Sequence, residues 1–297
     1  MPPSDPLNAP RIAFVGFGEA ARALAAGWRQ SLTADIRAYD IKTHDPGQAQ
    51  HIMTACSDLG VAALTEIGPL LEGSPVVFCL VTAGQSLAAA QTAVPYLQPG
   101  TYWFDGNSCA PGTKQKAAAI ITAAGGRYVD MAIMAPVHPR LHRTPVLLSG
   151  PDAPVAAELL QALGMSTNVA GGNVGDASAI KMIRSVMVKG MEALTAECLL
   201  AARRAGVQEA VLTSLQQSDP AIDWSSRSLY NLGRMRAHGA RRAAEMHEVA
   251  STLCDLGMPD RMAVAAALWH DQIGALQLDE SPDDLPAALD QILLALT

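Results

Sequence analysis

The sequence predicts an α/β domain with a doubly wound parallel sheet, followed by an all-α C-terminal domain. Between Arg11 and about Gly150, short apolar runs typical of strands alternate with Ala-rich stretches of helical period. These runs are "RIAFVGF", "IRAYD", "PVVFCLVT", "TYWFDGN", "RYVDMAIM" and "TPVLLSG". Strands joined by helical crossovers lie parallel in one sheet. Beyond "STNVAGGNVGDAS" nearly every segment has helical period, so we expect a first domain over residues 10–170 and a helical second domain over residues 175–297.

Composition limits the class of partner. The chain has 297 residues, enough for two domains, with a formal net charge of -7 and no basic run. We therefore expect a small-molecule partner, and neither a nucleic acid nor a membrane surface. The five cysteines form no C-x-x-C pair, which is typical of a reducing compartment. Because the first ten residues lack a signal-peptide pattern and no apolar run could span a bilayer, we expect a cytoplasmic protein.

The segment "RIAFVGFGEAARALAAGW" carries the strongest local signal, a strand that runs through a Gly-rich turn directly into a helix. Gly16 permits a tight turn, Gly18 lets the backbone approach a pyrophosphate, and the small Ala21 allows close packing of helix on strand. The helix N-terminus then faces the phosphates. The sequence therefore predicts a Rossmann-type dinucleotide-binding domain, the alternative being glycines that serve packing alone. The residues expected to hold the cofactor here are Gly16, Phe17, Gly18, Glu19, Ala20 and Ala21.

Asp40 ends the next strand pattern, "IRAYD", at the distance where a carboxylate binds the ribose 2′-hydroxyl. A carboxylate repels a 2′-phosphate, so NAD is favoured as the cofactor. Lys42 and Arg37 lie nearby and keep NADP as the alternative, because a cation accommodates the phosphate. We also expect Val81 and Thr82, which end "PVVFCLVT", to contact the cofactor.

These motifs resemble those of the β-hydroxyacid dehydrogenases, a family that includes 3-hydroxyisobutyrate and 6-phosphogluconate dehydrogenases. The likeness covers almost the whole chain: "GFGEAA" matches the cofactor motif, and "FDGNSCAPGT" looks like the family's second motif. It implies that Asn107 and Ser108 bind substrate. Within the family, "RSVMVKGMEAL" and "MRAHGARRAAEMHEVASTLCDLGMP" are most similar to the poorly characterised phosphogluconate-dehydrogenase-like group, which has its own helical C-terminal domain.

The segment "VGDASAIKMIRSVMVKGMEAL" resembles the family's catalytic helix, which carries a Lys with polar residues three and four positions later. The resemblance implies that Lys181 is the catalytic acid/base and that Arg184 and Ser185 bind substrate. Together with Lys189 these groups share one side of an otherwise apolar helix. Burial and a neighbouring cation, Arg184 or Lys189, would lower the pKa of such an amine. The alternative for Lys181 is a salt bridge to Asp105 or Asp130.

One segment departs from the family pattern. Where the family reads D-A-P-V-S-G-G and docks a carboxylate, this chain reads "DMAIMAP", so that Met134, Ala135 and Pro136 replace Ser-Gly-Gly. Pro136 has no N–H and Met134 has no hydroxyl, which removes donors for an anion. We predict that Arg184, a bidentate anion binder, takes over this contact. The alternative is an ion pair of Arg184 with Asp176 or Glu192 on its own helix.

Other polar residues are expected to be structural. His138 and His142 in "VHPRLHRTP" are four residues apart, but Pro139 argues against a helix there, and we expect no metal site. Cys109 is interpreted as a small buried residue. The cluster His238, Arg241, Arg242 and Glu245 is interpreted as a solvated basic helix face.

The sequence thus predicts an NAD-dependent dehydrogenase of a 3-hydroxy acid, with or without subsequent loss of CO₂. One alternative is an imine reductase, although such enzymes generally lack the catalytic Lys. The other is a cofactor-binding protein without turnover. Apolar helical segments such as "MAVAAALWH" and "LPAALDQILLALT" further predict a homodimer or a multiple of it.

Overall fold

The computed structural model describes residues 10–276, 278 and 282–296. Residues 1–9, where we expect no signal peptide, and Thr297, the end of the predicted second domain, lie outside the described residues. The chain divides into two compact units between Lys181 and Met182. This division falls inside one long helix, which begins at Asp176 and ends at Arg204.

The first unit is built on one sheet, and it confirms the predicted fold class. The described residues form eight strands in the order β3-β2-β1-β4-β5-β6-β7-β8. The strands are β1 (Arg11–Val15), β2 (Asp35–Tyr39), β3 (Ala62–Leu64), β4 (Val76–Cys79), β5 (Tyr102–Asp105), β6 (Arg127–Ile133), β7 (Val146–Ser149) and β8 (Thr167–Gly171). All neighbours are parallel except β6 and β7. The order in which the chain adds strands reverses between β1 and β4, and an open α/β sheet binds its ligand at such a point.

Two strands and one strand direction differ from the sequence prediction. The edge strands β3 and β8 were not predicted, because β3 has only three residues and β8 contains exposed Asn168 and Val169. The pair β6–β7 is antiparallel. No helical crossover separates these two strands, since the connecting residues 134–145 contain Pro136, Pro139 and Pro145. A chain that returns without a crossover pairs antiparallel.

Helices flank both faces of the sheet. They are α1 (Glu19–Arg29), α2 (Pro46–Asp58), α3 (Ile67–Leu71), α4 (Ser86–Ala93), α5 (Pro111–Ala123) and α6 (Ala153–Ala162). One apolar layer contains the aromatic residues Phe14, Trp28 and Phe78. The other contains Trp103 and Tyr128. The sheet is therefore covered on both sides, and its functional groups lie at strand ends and in loops.

The described part of the second unit is entirely helical, as predicted. It comprises the rest of α7 (Asp176–Arg204), then α8 (Gln208–Ser218), α9 (Trp224–Asp255), α10 (Arg261–Ala275) and α11 (Leu285–Ala295). Helix α9 is kinked at His238. The next residue, Gly239, packs so closely on α10 that a Cβ there would lie 2.4 Å from the Cα of Gly274. In the part of the chain that the structure describes, no helix combines the length and apolar character needed to cross a membrane.

The interpretation of the α9 cluster as a solvated face is wrong for Arg242. Its guanidinium is buried and holds the carboxylate of Glu192 on α7 with two nitrogens. Arg241, by contrast, is exposed. Burial raises the pKa of Glu192, against the opposing influence of Arg242. The partner of Arg242 lies 50 residues away in the chain, so helical periodicity alone could not reveal it.

Candidate active site

The predicted cofactor turn between β1 and α1 is shaped for close packing. Gly16 has a φ of +88° and donates its N–H to the carbonyl of Tyr39 at 2.8 Å. A Cβ at Gly16 would lie 2.6 Å from the Leu80 carbonyl oxygen and 2.9 Å from Cγ1 of Val81. Only glycine fits this position. The contact also places Val81, a predicted cofactor residue, directly against the turn.

The start of α1 is open, as a phosphate site requires. Gly18 is the N-cap of α1, and no described side chain caps it. A Cβ on Gly18 would meet no atom of the described residues within 4 Å. The space beside Gly18, at the positive end of the helix dipole, is therefore open. This arrangement fits the pyrophosphate of a dinucleotide.

Asp40 lies beside this turn, in a pocket of about 380 Å³. Its Oδ2 accepts the N–H of Phe17 at 2.8 Å, and its Oδ1 accepts the N–H of Lys42 at 3.0 Å. Arg22, Lys42 and His51 line the same pocket. The structure therefore brings Asp40 and the Gly-rich turn together, and it places basic side chains near the carboxylate. Thr82, the last predicted cofactor residue, is exposed at the end of the loop after β4.

Lys181 and Ser108 meet at a second position in the first unit. Ser108 belongs to the turn that follows β5, and Lys181 lies in the second turn of α7. The Nζ of Lys181 donates to Oγ of Ser108 at 2.8 Å, and both side chains are half-buried. Two residues that the sequence assigns to one site, 73 positions apart, are thus in direct contact.

Asn107, the neighbour of Ser108, is held in one orientation. Its backbone N–H and its Nδ2 both donate to Oδ1 of Asp105, at 3.0 and 2.7 Å. Nδ2 also lies 3.4 Å from Sγ of Cys79. The Oδ1 of Asn107 is buried and has no hydrogen-bond partner among the described residues. Since the amide donors are fully used, the side chain offers a ligand an acceptor.

A buried lysine that no sequence motif indicated binds Asp105, at the start of this turn. Lys114 on α5 has no exposed surface. Its Nζ donates to the Asp105 carbonyl at 2.6 Å and to Oδ1 of Asp105 at 2.9 Å, and it lies 3.4 Å from Oδ1 of Asp130. Although burial opposes its charge, the two carboxylates raise the pKa of Lys114 above its usual value. One signal could have found it, since Lys114, Ala117, Ala118 and Ile121 form the buried stripe of α5.

The carboxylate of Asp105 receives further hydrogen bonds. Oδ2 of Asp105 accepts the hydroxyls of Ser86 and Tyr128, each at 2.8 Å. Burial opposes the charge of Asp105, but Lys114 and these donors lower its pKa. For Tyr128, burial and the adjacent Asp105 raise the pKa well above the usual value.

Asp130 connects the sheet to the start of α7. Its Oδ2 accepts hydrogen bonds from the hydroxyl of Ser149 and from the N–H of Ser178, each at 3.0 Å. Its Oδ1 accepts one from the hydroxyl of Ser178 at 2.6 Å. The alternative interpretation of Lys181 is a salt bridge to a carboxylate such as Asp105 or Asp130. Both of these carboxylates form ion pairs with Lys114.

The other polar residues of the α7 stripe lie in the second unit. Arg184 is exposed, whereas Ser185 and Lys189 are buried. Nζ of Lys189 donates to Oγ of Ser185 at 3.1 Å and forms an ion pair with Glu245 at 2.9 Å. Lys189 is therefore paired with a carboxylate of the second unit. Glu192, an alternative partner of Arg184, binds Arg242.

The departure from the family pattern begins directly after β6. The N–H of Met134 donates to the carbonyl of Pro145 at 3.0 Å, so this backbone donor is already used. Farther along the loop, His142 is buried against α1, where a Cβ on Gly27 would lie 2.0 Å from its Nδ1. Within the described ranges, no three His, Cys, Asp or Glu side chains gather as metal ligands would. Cys109 is buried, and its Sγ donates to the carbonyl of Ala83 at 3.2 Å.

Two family models match the chain. The NAD binding domain of 6-phosphogluconate dehydrogenase matches residues 11–172. A domain of unknown function, DUF1932, matches residues 202–273 in the helical unit. The chain is thus similar to the phosphogluconate-dehydrogenase-like proteins that the sequence resembles.

Three solved structures are similar to this chain in fold. A conserved hypothetical protein from Sinorhizobium meliloti 1021 is 37% identical, with 96% of both chains covered and a TM-score of 0.75. The conserved protein MTH1747, of unknown function and structurally similar to 3-hydroxyacid dehydrogenases, is 31% identical, with 89% of this chain and 96% of that chain covered and a TM-score of 0.68. Mycobacterium tuberculosis 3-hydroxyisobutyrate dehydrogenase, solved with L-serine, shares the fold at 14% identity, with 94% and 98% covered and a TM-score of 0.73.

Proposed function

The chain belongs to the family with the NAD binding domain of 6-phosphogluconate dehydrogenase, and from this premise we propose that it is an NAD(P)-dependent dehydrogenase that oxidises a 3-hydroxy acid or reduces the corresponding oxo acid. One observation carries the proposal beyond cofactor binding. The amine of Lys181 contacts the hydroxyl of Ser108 at 2.8 Å, in the turn that the family resemblance assigns to substrate. A protein that only binds a cofactor has no need of a titratable amine at this position.

Lys181 is proposed as the general acid/base. A bound nicotinamide cofactor would supply the hydride acceptor for oxidation of the carbinol carbon and the hydride donor for the reverse reaction. The hydroxyl proton must leave in the same step, and a side chain within hydrogen-bond reach has to accept it. The neutral amine of Lys181 accepts this proton during oxidation and returns it during reduction.

Ser108 and Asn107 are proposed to orient the substrate hydroxyl. The oxygen of Ser108 accepts a proton of the Lys181 amine, which leaves its own O–H free to donate to a substrate oxygen. Asn107 offers a buried acceptor, Oδ1, to which a hydroxyl can donate. One acceptor and one donor, both supplied by the same turn, suit a group that is an alcohol on one side of the reaction and a carbonyl on the other.

NAD is the proposed preferred cofactor. Asp40 directs its carboxylate to the pocket beside the Gly-rich turn, where a 2′-phosphate would meet a negative charge. Arg22, Lys42 and His51 in the same pocket are the groups that would favour NADP. The proposal therefore depends on the carboxylate outweighing these basic groups.

Arg184 is proposed to bind the acid group of the substrate. The N–H of Met134 is used within the protein, and Pro136 has none, so the segment that docks a carboxylate in the family offers fewer donors here. Arg184 is exposed, and Glu192 on the same helix binds another arginine. The guanidinium of Arg184 thus suits a bidentate contact with a carboxylate.

Formation of NADH with a panel of 3-hydroxy acids tests the proposed function. We expect turnover of at least one acid at saturating NAD, measured by absorbance. The panel should vary the substituent at the carbinol carbon and include the corresponding esters, because an anionic contact predicts that the esters react poorly. Tight binding of NAD without turnover of any panel member, in either direction, would contradict the proposal.

A further inference from the structure

Among the described residues of the first unit, three charged side chains have no exposed surface, namely Lys114, Asp105 and Asp130. Burying such a set is costly, and well-packed apolar side chains at the same positions often stabilise a protein as well or better. Stability alone therefore does not account for them. Their hydrogen bonds show instead which segments of the chain they join.

The two segments joined are the turn after β5 and the first turn of α7. Asp105 accepts the N–H of Asn107 within the turn, at 3.0 Å. Asp130 accepts the N–H and hydroxyl of Ser178, at 3.0 and 2.6 Å. Lys114 contacts both carboxylates, at 2.9 and 3.4 Å.

The same two segments carry the proposed catalytic contact. Asp105 precedes Ser108 by three residues, and Ser178 precedes Lys181 by three residues, which is almost one helical turn. The buried connection Asp105–Lys114–Asp130–Ser178 and the Ser108–Lys181 hydrogen bond therefore form a closed ring of contacts. A shift of either carboxylate would move one partner of the Ser108–Lys181 pair relative to the other.

We infer that Lys114 is a positioning residue, which holds the Asn107–Ser108 turn and the start of α7 in register through Asp105 and Asp130. This inference rests on the proposed function of Lys181 and Ser108. Catalytic groups must be held to within about 0.5 Å of their productive geometry, and neighbours with fixed hydrogen bonds provide that precision. The ammonium donates hydrogen bonds to Asp105 and forms an ion pair with Asp130, whereas an apolar side chain in its place would do neither.

The variant Ser178→Ala tests the connection with little change in volume. It removes the hydroxyl donor to Asp130 but retains the backbone N–H. Ser74→Ala is the matched control, because Ser74 is equally buried and its Oγ donates to the carbonyl of Leu70 at 2.7 Å, outside the ring. Both variants lose one buried hydrogen bond, and Ser178→Ala should lose more overall stability than Ser74→Ala because its bond is to a carboxylate.

Hydrogen exchange of the Asn107 amide is the direct readout and requires no substrate. Its N–H donates to Asp105, at the far end of the ring from Ser178. We expect Ser178→Ala and Lys114→Met to raise exchange in peptides covering residues 105–109 by roughly tenfold, and Ser74→Ala to leave it unchanged. If Ser178→Ala leaves these peptides at the wild-type rate, or if Ser74→Ala changes them equally, the inference is overturned. Exchange in Lys114→Met is interpreted only if this variant folds. The exchange rate in Ser178→Ala is sufficient to support or overturn the inference.

Turnover supplies the second readout once a substrate is known. Misplacement of a catalytic pair lowers kcat. The predicted cofactor residues, which follow β1, β2 and β4, lie outside the ring and should be unaffected. We expect Ser178→Ala to lower kcat about tenfold with an unchanged Kd for NADH, and Ser74→Ala to retain wild-type kcat. An unchanged kcat for Ser178→Ala would contradict positioning. A lack of activity in the wild-type protein would instead reject the proposed function, and the exchange result would still stand.

Discussion

The Nζ of Lys181 lies 2.8 Å from Oγ of Ser108, and this contact joins the first turns of a long helix to the end of a central strand. Both side chains are half-buried. Asn107, beside it, presents a buried acceptor without a partner among the described residues. These groups are the ones on which the proposed dehydrogenase chemistry depends.

The cofactor preference should change when the carboxylate beside the Gly-rich turn is removed. Asp40→Asn keeps an oxygen that can accept the Phe17 N–H but removes the negative charge. With Arg22 and Lys42 in the same pocket, the ratio of kcat/KM for NAD to that for NADP should fall by about tenfold or more. Asp58→Asn, which removes an exposed carboxylate at the end of α2 that does not line the pocket, is the control and should retain the wild-type ratio. A wild-type enzyme that prefers NADP would contradict the role of Asp40.

Loss of the Arg184 guanidinium should weaken the binding of an acidic substrate. For Arg184→Ala we expect KM for the acid to rise about tenfold or more, with the Kd for NAD unchanged, because hydrogen bonds to a charged group contribute about 1.5–3 kcal/mol. Arg241→Ala removes another exposed arginine, on α9, and serves as the control. Equal KM values for Arg184→Ala and wild type would exclude the contact.

The stability of the helical unit should decrease in mild acid because of His270. Burial, with the nearby cations Arg242 and Lys189, lowers the pKa of His270 to about 4 from an ordinary value of 6.5. Between these two values the unfolded chain binds a proton that the folded chain does not. The contribution of His270 to the free energy of unfolding is therefore complete above pH 6.5 and is lost as the pH falls to 4. The loss is at most about 3.4 kcal/mol.

Chemical denaturation across this pH range measures the effect. His270→Leu should show a flatter dependence of the unfolding free energy on pH between 6.5 and 4, whatever its absolute stability. The exposed His247 provides the control, and His247→Gln should retain the wild-type slope. If His270→Leu and wild type have the same slope, His270 is not the titrating group.

A homodimer or a multiple of it is also predicted, because the helical unit exposes large apolar side chains. On α7, Met187 and Leu194 are 67% and 51% exposed, and on α10, Met262 and Leu268 are 51% and 65% exposed. Exposed apolar groups of this kind commonly mark interfaces. Sedimentation velocity at micromolar concentration should give the mass of a dimer or larger, and Met187→Glu should shift it toward 31 kDa. A wild-type monomer would contradict the prediction.

The sequence predicted the parts of the site that have a local signature. The Gly16–Ala21 turn is indicated by its position between a strand and a helix, whereas Lys181 and Ser108 are implied by the resemblance of two short motifs to those of the β-hydroxyacid dehydrogenases. Strand β8 and the antiparallel direction of β7 lacked such a signature, since the first is partly polar and the second depends on the loop that precedes it.

Contacts between distant residues could not be predicted in the same way. Lys114 lies in an apolar helical stripe, and that position is a signal, but its partners Asp105 and Asp130 come from two other strands. Arg242 lies in a sequence as basic as that of a solvated helix, and only the fold supplies Glu192. In each case the buried charge is explained by a partner that helical or strand periodicity does not specify.

The role of Lys181 is tested most directly by turnover of Lys181→Met in the presence of saturating NAD. Met preserves most of the volume of the side chain and removes the proton carrier, so kcat should fall by about 10²–10⁴-fold. Lys116→Met, on α5, removes an exposed lysine and should retain wild-type kcat. The Kd for NAD should be the same for all three proteins. A Lys181→Met protein that is folded, binds NAD and turns over at the wild-type rate would contradict the proposed mechanism.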